Sequence, residues 1–141
     1  MSITIRDAVP EDEENVTALW RACGLVAAYN DPGVDFRFAV AGEASAVLVA
    51  EDAEGCVTGT VMVGHDGHRG WLYYVASMPE CRGQGIGRAI VDAGEQWLRT
   101  RQVAKVQLMV RDTNTAVVQF YERLGYEDTP RVLMSKWLNQ V

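Results

Sequence analysis

The sequence predicts a single α/β domain in which a mixed, mostly antiparallel sheet is flanked by helices. Two features of the pattern predict this class. Strand-like runs rich in Val, Thr and aromatic residues alternate with segments whose apolar residues recur at helical spacing. In the middle of the chain, three strand-like runs follow one another directly, as in an antiparallel meander, before a strand, helix, strand order begins. No linker or internal repeat divides residues 1–141, so we expect one domain.

The first half of the chain is predicted to hold one strand, two helices and the meander. Residues 2–6 alternate like a strand, and an apolar stripe at helical spacing predicts a helix over residues 10–23. Turn formers fill residues 29–33, after which Asp35 is expected to cap a short helix that ends at Ala41. The meander strands are expected at residues 46–51, 57–63 and 71–78.

The second half is predicted to continue with two helices and three strands. Pro79 ends the meander, and an apolar face then predicts a helix over residues 87–101, followed by a strand over 103–110. A further helix over residues 115–124 is closed by Gly125. Two last strands are expected at residues 126–129 and 132–137. The complete predicted order is β-α-α-β-β-β-α-β-α-β-β.

The charge of the chain is unevenly distributed. The net charge of −6 argues against nucleic-acid binding, which depends on clustered Lys and Arg. Residues 1–70 carry 4 basic and 12 acidic groups, whereas residues 71–141 carry 9 basic and 7 acidic groups. An anionic ligand is therefore expected on the second half, and a cationic second ligand would suit the first half.

The cysteine content and the hydropathy indicate a soluble, cytoplasmic protein without a metal. Cys23, Cys56 and Cys81 are odd in number and lack the paired spacing of a disulfide framework or a zinc site, so we expect reduced thiols. No window approaches the ~18 apolar residues of a membrane span, and the start of the chain lacks the layout of a signal peptide. We therefore expect no membrane association.

A glycine-rich loop between a strand and a helix is the strongest functional signal in the sequence. The first turn of a helix has unpaired N–H groups and a partial positive charge, and glycines let an anion approach them. The flanking arginines add full charges, so a pyrophosphate is the expected ligand, although a tight structural turn would use the same glycines. The loop reads Arg82-Gly83-Gln84-Gly85-Ile86-Gly87-Arg88.

Two nucleotide-binding motifs are excluded for this loop. A dinucleotide fingerprint counted from Gly83 and Gly85 needs a third glycine where Arg88 stands. The phosphate loop of nucleotide hydrolases needs Gly-Lys-Ser/Thr, and the only lysines are Lys105 and Lys136.

The loop, Arg82-x-x-Gly85-x-Gly87 after Pro79, resembles the acetyl-CoA signature of the GNAT superfamily of N-acetyltransferases. The resemblance covers nearly the whole chain and implies the GNAT fold, acetyl-CoA as the co-substrate and a small-molecule or peptide amine as the acceptor. A CoA-binding or CoA-sensing module that has lost turnover is the alternative. The downstream residues that resemble the second signature of the family are Asn114, Tyr121 and Leu124-Gly125-Tyr126.

The resemblance also implies roles for individual residues. A bulged strand before the loop would offer backbone N–H groups at Ser77 and Met78, which would contact the cofactor and stabilise the oxyanion, although Ser77 replaces the usual aliphatic residue. Tyr121 stands at the general-acid position. Asn114 would contact pantetheine, cap a helix, or do both. The seven-residue spacing from Asn114 to Tyr121 places both on nearly the same helix face.

The acceptor side of the site is less defined in the sequence. The strand over residues 71–78 lacks the Glu that many relatives use as a base, so the base is unassigned. A smaller resemblance, to small bacterial GNAT proteins of the YpeA type, rests on residues 30–32, 66–70 and 73–74 and identifies no acceptor. The oligomeric state is open, since Trp71, Trp137 and Leu138 would line either a homodimer seam or the core. The acceptor-side candidates are Tyr29, Asn30, Asp31, Glu51, His65, His68 and Tyr73.

Overall fold

A computed structural model describes residues 2–139 of the chain. The chain forms two compact units, Met1–Met109 and Val110–Val141. Within the described residues, the larger unit contains the sheet, three α-helices and two short 3-10 helices, and the smaller unit contains one α-helix.

The larger unit is built on a five-stranded sheet in the order β1-β2-β3-β4-β5. Neighbouring strands from β1 to β4 are antiparallel, and β5 is parallel to β4. This mixed sheet confirms the predicted fold class and the meander. The strands are β1 (Thr4–Asp7), β2 (Ser45–Glu51), β3 (Val57–His65), β4 (Gly70–Ser77) and β5 (Val106–Gln107).

Two helices, α1 (Glu13–Ala22) and α2 (Pro32–Ala41), pack on one face of the sheet. Their apolar stripes form a core with β2 and β3, in which Trp20 and Phe36 are fully buried. The expectation that Asp35 caps α2 is wrong. The helix is capped four residues earlier, where the Asp31 carboxylate accepts hydrogen bonds from the N–H groups of Gly33 and Val34. Pro32 fits this start because an N–H at the first helical position has no partner within the helix, so proline loses no hydrogen bond there.

The opposite face of the sheet is covered by α3 (Ile86–Arg99). Two glycines allow a close approach between this helix and the sheet. A Cβ atom on Gly94 would lie 3.0 Å from Leu72, and one on Gly59 of β3 would lie 2.6 Å from the Cγ2 of Ile86. The first residue of α3 is therefore fixed against the sheet beside the C-terminal end of β4, since Gly59 pairs with Ser77.

The smaller unit contains α4 (Thr115–Arg123), whose end is followed by Gly125 with a φ of 95°. The prediction of two last strands is wrong within the described residues, because residues 126–129 and 132–137 form none. An apolar run becomes a strand only where it finds a partner strand and a surface to cover. The large apolar side chains here are instead exposed: Val132, Leu133, Met134, Trp137 and Leu138.

No helix within residues 2–139 combines the length and the apolarity that are needed to span a bilayer.

Candidate functional site at the end of strand β4

Strand β4 contains a bulge at Tyr74. The register with β3 passes from Thr60↔Ala76 to Met62↔Tyr73, so one residue of β3 lies opposite two residues of β4. Tyr74 has a φ of 51°, in the left-handed region that bulky residues rarely adopt. Such a conformation persists only where the surrounding contacts hold it, and it occurs often at functional sites.

Four side chains hold the bulge, and sequence reasoning identified none of them as functional. The Tyr74 ring stacks on Trp20 with centroids 3.9 Å apart, and the Tyr74 hydroxyl donates a 2.8 Å hydrogen bond to Asp35 Oδ2. Burial and this carboxylate raise the pKa of the Tyr74 phenol. The Thr60 hydroxyl donates to the Tyr74 carbonyl at 3.1 Å and accepts from Trp20 Nε1 at 2.8 Å. In the sequence, Tyr74 stood out only through the smaller resemblance at residues 73–74, and Asp35 only as an expected helix cap.

The two backbone N–H groups expected to face the reacting thioester differ in their surroundings. Met78 N–H donates to the Thr58 carbonyl at 2.8 Å. The expectation that Met78 provides an oxyanion donor is therefore wrong, because its single proton is already used by the sheet. In an antiparallel ladder, hydrogen-bonded residue pairs alternate with non-hydrogen-bonded pairs. Because Met78 is hydrogen-bonded to Thr58, the adjacent pair of Ser77 and Gly59 is a non-hydrogen-bonded pair. The Ser77 N–H therefore points away from β3.

The edge of β4 toward which Ser77 N–H points is the edge that faces β5. Within residues 2–139, the ladder between these two strands comprises Gly70↔Val106 and Trp71↔Gln107. The edge beyond Trp71 is therefore outside that ladder. Cys23, at the end of α1, donates its thiol to the Ser77 carbonyl at 3.3 Å, so the last turn of α1 borders this edge. A half-buried Ser77 between a thiol and a helix N-terminus is a suitable place to hold a small polar group.

The glycine-rich loop connects this end of β4 to α3 through a one-turn 3-10 helix, Pro79–Cys81. Gly83 and Gly85 have φ values of 85° and 79°, and Gly85 is the N-cap residue of α3. A Cβ atom on either glycine would meet nothing within 4 Å, so backbone conformation, rather than crowding, requires glycine at both positions. The exposed Arg82 and Arg88 flank the first turn of the helix, whose N–H groups lack intrahelical partners.

The second-signature residues lie on α4 in the smaller unit. Asn114 is the N-cap residue, but its side chain makes no capping hydrogen bond, so the amide is not committed to the helix. Tyr121 is buried, and its ring packs edge-on against Phe120 and Tyr126, with centroids 5.0 Å and 5.6 Å away. Burial raises the pKa of the Tyr121 phenol to about 12, which keeps its proton in place at neutral pH.

Three acceptor-side candidates lie in the loop before α2, and a fourth is in an ion pair. Tyr29 and Asn30 are exposed, and Asp31 caps α2. Glu51 accepts a hydrogen bond from Arg6 at 3.1 Å. The same guanidinium forms two hydrogen bonds with Asp12, which together with the Val9 N–H lower the pKa of Asp12 despite its burial. Glu51 is thus part of a structural charge cluster.

The remaining acceptor-side candidates lie toward the other end of β4. His65 pairs with Gly70 at the start of β4, and His68 is in the turn before it. Seven residue steps separate Gly70 from Ser77, which corresponds to about 23 Å along a strand. Both histidines therefore lie far from Ser77 along β4, and their acceptor-side role stays a prediction. Tyr73 is partly exposed, and burial, followed by the charge of Asp66, raises the pKa of its phenol.

Among the described residues, one group brings possible metal-ligating atoms within 4.8 Å of one another: Asp52, Glu54 and Cys56. Asp52 Oδ1 accepts from the N–H groups of both other residues at 2.9 Å. These hydrogen bonds close the turn between β2 and β3 and account for the proximity.

Comparisons with known proteins agree with the fold. The chain is similar to AAC(6')-Iy, solved in complex with the bisubstrate analogue CoA-S-monomethyl-acetylneamine, with a TM-score of 0.83 and 18% identity over 97% of this chain and 99% of that chain. It is similar to a variant of the BH1408 protein from Bacillus halodurans, with a TM-score of 0.77 and 25% identity over 96% and 99%. It is also similar to the glucosamine-6-phosphate N-acetyltransferase of Arabidopsis thaliana, with a TM-score of 0.73 and 20% identity over 99% of this chain and 100% of that chain.

The family model of the acetyltransferase (GNAT) family matches residues 10–126. This match includes the glycine-rich loop, the bulged strand and the segment from Asn114 to Tyr126. The chain therefore belongs to the acetyltransferase (GNAT) family.

Proposed function

We propose that the protein transfers the acetyl group of acetyl-CoA to an amine by direct attack in a ternary complex. The observation that carries the proposal is the loop with two left-handed glycines that opens α3 beside the bulged end of β4. The helix N-terminus, Arg82 and Arg88 suit the diphosphate of CoA. The similar structure that contains a CoA analogue supports CoA as the ligand class.

In the proposed reaction, the neutral amine nitrogen attacks the thioester carbonyl carbon. The carbonyl oxygen becomes an oxyanion, which Ser77 N–H stabilises by a hydrogen bond. The tetrahedral intermediate collapses, the C–S bond breaks, and the sulfur takes the electron pair and a proton from Tyr121. The amine proton passes to solvent, which also restores the Tyr121 proton, so the products are an amide and CoA thiol. Asn114 is proposed to contact pantetheine.

The proposed acceptor is a small cationic amine. The acidic first half of the chain supports this class, as do the exposed Tyr29 and Asn30 beside the capping Asp31. The assignment to a YpeA-type subgroup and the action of residues 1–141 as one catalytic domain also belong to the proposal. The family match supports the latter, because it runs across the boundary between the two units at Met109.

The test is the release of CoA thiol from acetyl-CoA in the presence of a panel of amines. Release above the rate without acceptor is expected for the wild-type protein. A protein that gains thermal stability from CoA by mass action, yet releases no thiol with any amine, would instead be the binding or sensing module.

The role of Tyr121 is tested by a pair of matched variants. Tyr121→Phe is expected to lower kcat by roughly 100-fold, within the range of general-acid effects, with little change in the affinity for acetyl-CoA. Tyr126→Phe, which removes a hydroxyl from the neighbouring ring, should keep kcat within about twofold. Equal kcat values for the two variants would remove Tyr121 from the mechanism.

A further inference from the structure

One residue of β3, Thr60, contacts the β4 bulge at two points. Through its backbone, Thr60 lies opposite Ala76, which follows the bulge. Through its side chain, it donates to the carbonyl of Tyr74, which lies within the bulge. Thr60 therefore closes a ring around Val75 and sets where the strand resumes its regular pairing.

The Thr60 hydroxyl is itself held in one orientation. It is fully buried, and its oxygen accepts from Trp20 Nε1 while its proton goes to Tyr74. A hydroxyl with a fixed donor and a fixed acceptor cannot rotate without losing a buried hydrogen bond. Two consecutive hydrogen bonds, from Trp20 to Thr60 and from Thr60 to the Tyr74 carbonyl, thus connect the core beneath α1 to the backbone of the bulge.

These hydrogen bonds lie close enough to Ser77 in sequence to control the direction of its N–H. Ser77 is the next residue after Ala76, and its N–H points to the edge of β4 that faces β5 because of the register that resumes at Ala76. Without the one-residue offset that the bulge introduces, the register of Met62 with Tyr73 would continue, Ser77 would lie opposite Thr58, and its N–H would point toward β3. The direction of this N–H therefore depends on the bulge being kept between Tyr73 and Ala76.

We propose that Thr60 is a positioning residue for acyl transfer, because its hydroxyl fixes the β4 bulge and thereby the direction of Ser77 N–H. This inference rests on the proposed function, in which Ser77 N–H stabilises the oxyanion. Thr60 acts through the backbone of β4 and touches no substrate itself.

The neighbouring Thr58 provides a matched control. It lies on the same strand and the same face, is equally buried, and donates its hydroxyl to the Ala50 carbonyl at 3.3 Å, away from the bulge. Thr60→Val and Thr58→Val each remove one buried hydroxyl at nearly constant volume, so a purely structural role predicts similar losses of stability and of activity. Thr60→Ser keeps both a donor and an acceptor.

The kinetic experiment compares these three variants with the wild type at saturating acetyl-CoA. Thr60→Val is expected to lower kcat roughly 10-fold or more, as for a weakened oxyanion donor, while Kd for CoA stays within about twofold. Thr58→Val should keep kcat within about twofold, and Thr60→Ser should restore most of it. Equal kcat values for the two valine variants would overturn the proposal. Should Thr60→Val fail to fold, Thr60→Ala with Thr58→Ala makes the same comparison.

Amide hydrogen exchange of ligand-free protein gives a second readout that needs no activity. After correction for global stability, the amides from Tyr74 to Ser77 are expected to exchange roughly 10-fold faster in Thr60→Val than in Thr58→Val. Equal exchange would overturn the positioning role even in an active enzyme. A wild-type protein without acetyl transfer would instead refute the proposed function, and exchange would then decide whether Thr60 fixes the bulge.

Discussion

The two ends of β4 differ although they belong to one eight-residue strand. At the Gly70 end, β4 is paired on both sides, with β3 and with β5, and a turn closed by Asp66 leads into it. At the Ser77 end, the strand lies beyond the ladder with β5, contains a bulge and continues into the glycine-rich loop. The titratable histidines lie at the regular end, whereas the proposed site lies at the irregular one.

The difference shows that the proposed site depends on backbone geometry more than on ionisable side chains. The regular end satisfies its backbone groups through strand pairing. The irregular end directs backbone N–H groups of Ser77 and of the first turn of α3 away from such pairing. Tyr74 is held there in a conformation that costs about 1–3 kcal/mol.

The largest difference between the two ends is expected for a charged side chain placed on a left-handed glycine. Gly85→Asp should weaken CoA binding by roughly 100-fold or more, because its carboxylate would stand where the diphosphate binds. Gly67→Asp in the turn before β4 is the control, since Gly67 has a φ of 87° and equally open surroundings. Calorimetry with CoA measures both, and circular dichroism verifies folding. Normal affinity in Gly85→Asp would contradict the placement of the diphosphate.

A second prediction concerns pH and the Gly70 end. Asp66 accepts hydrogen bonds from the N–H groups of Arg69 and His68 and from Trp71 Nε1, which lower its pKa to about 2. A lowered folded-state pKa contributes stability above the unfolded value of about 3.9, and this contribution is lost as pH falls toward about 2. The Trp71 indole N–H resonance should therefore titrate near pH 2. A midpoint near pH 4 would show that the turn does not hold this carboxylate.

The smallest effect is expected for the histidines. His65→Ala and His68→Ala should each change kcat/KM by less than about twofold, because both residues lie about 23 Å along the strand from Ser77. The pH profile of kcat/KM should keep its shape in both variants. A loss of 10-fold or more in either one would mean that the regular end of β4 takes part in the reaction.

Much of the fold was predictable because helices and the meander are encoded by local patterns. The stripe that includes Trp20 predicts α1, and the glycines around Gly85 predict the loop. The family resemblance implied a bulged strand before the loop, but the position of the bulge was not predictable, since it depends on the register between Thr60 and Ala76, two residues far apart in sequence. The start of α2 was placed too late because Asp31 and Asp35 are equally good caps by residue type, and only the extended backbone at Asp31 distinguishes them.

The left-handed backbone at Tyr74 restricts which residues evolution or protein engineering can place there. Glycine would relieve the conformational cost but would abolish the ring stacked on Trp20. Most other residues would keep the cost and lose the stack, and phenylalanine would lose only the hydroxyl. A saturation library at this codon should therefore yield very few active clones.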